Sequence, residues 1–200
     1  LQEHVLARRT AQAAAQTRAD IVTSARELFA QHGFSATTTA EVAARAGVTV
    51  GALFHHFRDK VDLFSAVFDE LDEEMNLHAI ERAGQHVGLS GFLEGFRAFL
   101  EFAQRQDYHR IVLVDGPAVL GDRIASRRDK LRGANNVHQA VEALIAAGEI
   151  PLQPVAPLAA ILLGAITECG FALARRDPGV TVKRSEEHTS ELQSPCNLVC

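Results

Sequence analysis

The chain has no tryptophan, a single tyrosine and only three cysteines, and each shortage removes a class of reading. Cys169, Cys196 and Cys200 are odd in number and lack framework spacing, so a disulfide-stapled secreted scaffold is excluded and a reducing, cytoplasmic setting is expected. Alternating runs of β-branched and aromatic residues are missing, which argues against sheets. The N-terminus is polar and rich in Ala, Gln and Arg, without the apolar core of a signal peptide. It opens on Leu1 rather than Met and reads as a fragment. A net charge of −5 excludes a protein that coats nucleic acid along its whole length. That charge is uneven. Residues 1–60 carry seven bases against five acids, +2, and the remainder is −7. What remains is a globular composition, 47% hydrophobic and 22% charged over 200 residues, enough for one ordinary domain or two small ones with a sizeable core.

One apolar run, Val155 to Ala174, has about the ~20 residues a bilayer span needs. Pro157 near its start, Glu168 inside it and its many Ala and Gly residues favour a helix buried in protein or in a dimer seam. No membrane partner is expected.

Helical spacing runs through nearly all of the chain. Ile21, Ala25, Leu28 and Phe29 fall on one helical face, and Gly33 ends that helix. Thr38 and Glu41 have capping-box spacing for a short helix that Gly47 stops. Thr49 caps a second short helix, Val50 to Phe57, with Leu53, Phe54 and Phe57 inward. Asp59 caps a longer one, Lys60 to about Arg82. Further helices are expected from Ser90 to about Gln106, Ala118 to Ala147 and Ala156 to Arg176, with a short apolar run at Ile111–Val114. Two short helices meeting at Ala46-Gly47-Val48-Thr49 make a helix-turn-helix pattern: Ala43 lets them approach, Gly47 turns the backbone and Val48 fills the angle.

The run from Gly33-Phe34 through Thr37-Thr38-Thr39-Ala40-Glu41-Val42-Ala43 to AGVTVGALFHHFRDK resembles the DNA-binding domain of the tetracycline-repressor (TetR) family, strongly over about residues 15–75. A looser likeness to that family's regulatory domain extends to Asp177-Pro178. The resemblance implies an all-α fold: an N-terminal three-helix helix-turn-helix head at 15–75 (motif 38–57), followed by a helical ligand-binding and dimerisation bundle at 76–183. It implies a cytoplasmic, homodimeric, ligand-responsive transcriptional regulator, usually a repressor. Such a dimer binds a palindromic double-stranded DNA operator and needs no cofactor or metal.

Carried onto this sequence, Thr38 and Thr39 fall at backbone-contacting positions. Thr49, Val50, Gly51 and Ala52 open the recognition helix, Phe54, His55 and His56 face the duplex flank, and Lys60 holds a phosphate. Phe54 stands where the family has more often Tyr. Val50 and Ala52 make the groove-facing surface apolar, able to touch a thymine methyl but not to make a bidentate base contact. More weight then falls on His55, His56, Lys60 and a basic arm of Arg8, Arg9 and Arg18, and binding is expected to depend strongly on salt. Phe54 reads equally as a core residue. The His55-His56 pair is a poor metal site, because neighbours in a helix point apart.

For a small apolar effector the candidate pocket residues are Phe96, Phe99, Tyr108, Leu144, Glu168 and Cys169, against the plainer reading of ordinary core. Glu168 and Cys169 read as polar handles facing a ligand, or Glu168 pairs across a dimer seam with a basic partner, since a buried carboxylate has to be paired or protonated. The segment 184–200 lacks periodicity, and Arg184 to Ser194 resembles a translated sequencing-library adapter. It is expected to be non-native and to leave dimerisation impaired. Two other classes stay open: a helical partner-binding protein without DNA binding, and a small enzyme. The second lacks any nucleophile elbow, phosphate-binding loop, zinc spacing or dinucleotide fingerprint.

Overall fold

A computed structural model describes residues 2–121 and 129–175, and among these all regular structure is helical. The tail at 184–200 lies outside the described residues, as do the side chains of Arg8 and Arg9. The described residues form two compact units, 2–72 with 106–121, and 73–105 with 129–175.

The first unit opens with α1, Gln2–Ala36, whose helical geometry breaks at Gly33 (φ 80°, ψ 169°) where the sequence predicts its end. Next come α2, Thr39–Arg45, and α3, Val50–His56, then the first half of α4, Lys60–Gly84. Ile21, Val22, Ala25 and Phe29 of α1 bury against a core shared with Val42, Leu53, Leu63, Phe64, Val67 and Leu71. Phe29, Phe34 and Phe64 form an aromatic triad, with centroids 5.1 to 5.9 Å apart and Phe64 edge-on to the other two.

Segment 106–121 returns to this unit, which the sequence reading of a contiguous head did not include. It comprises α6, Gln106–Tyr108 (following α5, Gly88–Ala103, of the second unit), a π-helical stretch His109–Asp115, and α7, Gly116–Leu120. Polar clamps fasten it to α1. Arg26 gives Nε and Nη2 to Asp107 Oδ2 at 3.0 and 2.6 Å. Asp115 Oδ2 accepts from the Phe34 amide at 2.7 Å and from Arg110 Nε at 3.3 Å. The expected helix from Ala118 to Ala147 is not continuous. Gly121 leaves helical geometry (φ 44°, ψ −123°), and α8 spans Asp129–Ala146.

In the second unit α4 and α5 approach closely because Gly91 and Gly95 face Ala79 and Ala83. A Cβ on Gly91 would lie 2.8 Å from the Ala83 carbonyl oxygen. Arg82 bridges Glu94 and Glu101 across that pair at 3.1 and 3.4 Å. α9, Val155–Arg175, packs on α8 through Ala159, Val137 and Val141, with Leu158, Leu162 and Ile166 around them. By length and composition α9 could cross a membrane. Of its apolar stretch only 17% is buried among the described residues, which cover the expected apolar helix on one side.

Candidate nucleic-acid interface

The start of α2 shows how sequence sets local geometry. Thr38 is extended (φ −107°, ψ 152°). Its hydroxyl accepts from the Glu41 amide at 3.2 Å, while Glu41 Oε2 accepts from the Thr38 amide and hydroxyl, both at 2.8 Å. The capping box read from the sequence is therefore complete. These bonds, the one from the Thr38 backbone first, hold the Glu41 carboxyl below the usual glutamate range.

The turn to α3 closes by a nested pair of backbone bonds, Val48 N–H to Ala43 O at 3.0 Å and Gly47 N–H to Ala44 O at 3.2 Å, with Gly47 at φ 69°. That pattern requires a left-handed residue after the cap, and glycine adopts it without a Cβ penalty. Thr49 then caps α3, its hydroxyl accepting from the Ala52 amide at 3.1 Å.

Within α3 two faces separate. Leu53 and Phe57 are buried, at 0% and 2% exposure. Thr49, Gly51 and His55 are exposed, and Val50 and Phe54 stand 40% and 46% exposed. Phe54 is thus a surface residue and Phe57 a core residue. Ala52 and His56 are half-buried. The His55 and His56 rings lie edge-on, 5.7 Å apart at 75°, and among the described residues no group of His, Cys, Asp and Glu is arranged to hold a metal ion. Arg18 of α1 lies over the Phe57 ring, 5.0 Å from its centroid, which puts a cation beside the C-terminal end of α3. Arg45 is already paired with Glu27 at 2.6 Å.

Lys60 is placed differently. Its ammonium donates to the carbonyls of Phe34 and Thr37, at 2.9 and 3.0 Å, and lies over the Phe34 ring. Sequence spacing does not reveal these partners, which lie 26 and 23 residues away.

The candidate effector residues fall in both units. Phe96, Phe99 and Leu144 share the second unit, with Phe99 and Leu144 buried, whereas Tyr108 is buried in the first. Burial pushes the Tyr108 phenol far up, with Asp72 adding to the effect. Glu168 is not the buried carboxylate expected. It is 65% exposed and accepts from Arg175 Nη2 at 2.6 Å on the same helix. Cys169 beside it is half-buried.

Comparisons with known proteins fit this geometry. Residues 21–67 match the family model described as bacterial regulatory proteins, tetR family, and residues 89–193 match that of a tetracyclin repressor-like C-terminal domain. The chain is 31% identical over 169 residues to the HTH-type transcriptional regulator AcrR of Shigella flexneri, a match covering 79% of this chain and 78% of that one. It is 40% identical over 75 residues, 36% of each chain, to the HTH-type transcriptional repressor BepR of Brucella suis. The crystal structure of a TetR-family transcriptional regulator from Pectobacterium atrosepticum superimposes with a TM-score of 0.75 at 32% identity, over 82% of this chain and 84% of that one. The capped α2–turn–α3 unit, the helical body and these matches agree: the chain belongs to the TetR family of helix-turn-helix transcriptional regulators.

Proposed function

We propose that this regulator is a cytoplasmic repressor that binds a palindromic operator as a homodimer, laying α3 in the major groove, and leaves it when a small apolar effector occupies its helical body. The observation that carries the reading is the two-faced α3. Leu53 and Phe57 anchor it from behind, while Thr49, Val50, Gly51, Phe54 and His55 stand outward at its free face.

The roles follow from the chemistry of those side chains. Val50 and Ala52 meet thymine methyls, because neither can make a bidentate bond to a base edge. Gly51 lets the backbone come close to the duplex. Thr38, Thr39 and Thr49 meet phosphate and sugar near the helix N-termini, where amides and positive dipole ends favour anions. His55, His56 and Phe54 flank the groove, and Arg18 adds charge beside them. With few direct base contacts, backbone attraction supplies much of the affinity, so binding falls steeply with salt.

Selection from a random-sequence duplex pool, followed by gel retardation, tests the reading. The expected product is an enriched palindrome whose half-site centres lie about one helical turn (~34–36 Å) or a multiple apart. A pool from which no palindrome is enriched sinks it.

A further inference from the structure

Lys60 stands at the first position of α4 and reaches back into the chain. Its ammonium donates to Phe34 O at 2.9 Å and Thr37 O at 3.0 Å, and Nζ sits 4.2 Å from the Phe34 ring centroid. An ammonium has three donors, so two are spent inside the protein. Phe34 follows the break at Gly33, and carbonyls at a helix end have no partner further along the helix. A cation there also meets the negative end of the α1 dipole.

Those carbonyls belong to residues that are themselves fixed. The Phe34 amide donates to Asp115, and its ring packs on Phe29 and Phe64. Thr37 is buried, with its hydroxyl donating to Gly33 O at 2.9 Å. The next residue, Thr38, is the cap at which α2 starts. Lys60 therefore ties the first residue of α4 to the corner from which the helix-turn-helix departs.

We propose that Lys60 is a positioning residue for DNA recognition: it fixes the α1–α2 corner through Phe34 and Thr37, and so the angle at which α2 and α3 meet the duplex, instead of neutralising a phosphate. This rests on the DNA-binding reading above. The two roles make opposite demands. A phosphate contact needs charge and accepts arginine readily, whereas a compact ammonium shared by two carbonyls and a ring is not replaced by a planar guanidinium fork.

The test measures affinity against salt for the duplex enriched by the wild-type chain and for a scrambled duplex, using wild type, Lys60→Arg, Lys60→Met and Phe34→Leu, each with its melting curve. Every folded variant is expected to bind the enriched duplex roughly tenfold more weakly, the scale of one lost base contact. The ratio to scrambled DNA should fall, and the log–log salt slope should stay that of wild type. Phe34→Leu changes no charge and carries the test with Lys60→Arg if Lys60→Met does not fold. Retained affinity in Lys60→Arg overturns the proposal. So does a slope in Lys60→Met that flattens by about 0.9 for each phosphate lost. An unchanged ratio in variants that merely melt earlier also overturns it. A wild-type chain that enriches no duplex at any salt concentration is a different failure, that of the DNA-binding reading, and takes this proposal with it.

Discussion

At the scale of single residues, the Thr38–Glu41 box is where local chemistry and function meet, because it holds a threonine expected at the DNA backbone. Thr38→Ala removes the hydroxyl that caps α2 and is expected to cost about 1 kcal/mol in chemical denaturation. The Glu41 partner gives this cap a pH signature. Its folded pKa is depressed, so its contribution is present above the ordinary glutamate range and is lost as pH falls through the folded value. The advantage of wild type over Glu41→Gln should therefore be seen near neutrality and fade in acid. Equal midpoints at neutral pH would show that the carboxylate adds nothing. Ser65 on α4 is the opposite case. Its hydroxyl is buried and has no hydrogen-bond partner among the described residues. An unsatisfied buried hydroxyl costs on the order of 1–3 kcal/mol, so Ser65→Ala is expected to raise the thermal midpoint, and a lowered midpoint would refute that account.

At the scale of elements, the breaks decide the architecture. Gly33 ends the first stretch of α1 at φ 80° and ψ 169°, a region open in practice to glycine alone. Gly33→Ala is expected to destabilise the chain by roughly 1–3 kcal/mol through that strain. The Arg110 guanidinium that a Cβ would touch is the far end of a flexible side chain and can move aside. A denaturation midpoint unchanged from wild type would contradict this. The head was legible in the sequence because its signals are local: the Gly33 stop, the Thr38–Glu41 box, Gly47 in the turn and the Thr49 cap all act within five residues. The rest was hidden where partners come from afar. α5 starts at Gly88, earlier than Ser90, because Glu149 caps it from 60 residues away, accepting from the Leu89 amide at 2.7 Å. The clamps from Asp107 and Asp115 to α1, and the reach of Lys60 to Phe34 and Thr37, are equally invisible to periodicity. The exposure of Glu168 was hidden for a related reason: an apolar helix does not reveal which of its faces is covered.

At the scale of the whole molecule, α9 raises the question of self-association. One side packs on α8, and the other presents Pro157, Ile161, Gly164 and Glu168 at helical spacing, with Ile161 69% exposed. An apolar face that the described residues leave uncovered marks an interaction surface. In a two-fold dimer the same patch meets its own copy, so one substitution strikes the seam twice. Gly164 suits such a test, because a Cβ there meets nothing within 4 Å among the described residues. Gly164→Arg should leave the helical content intact and lower the dimer fraction seen in sedimentation at concentrations where the wild-type chain self-associates. The paired operator half-sites would then lose their cooperative filling and affinity should fall toward that of one head, whereas unchanged sedimentation would place the seam on another face.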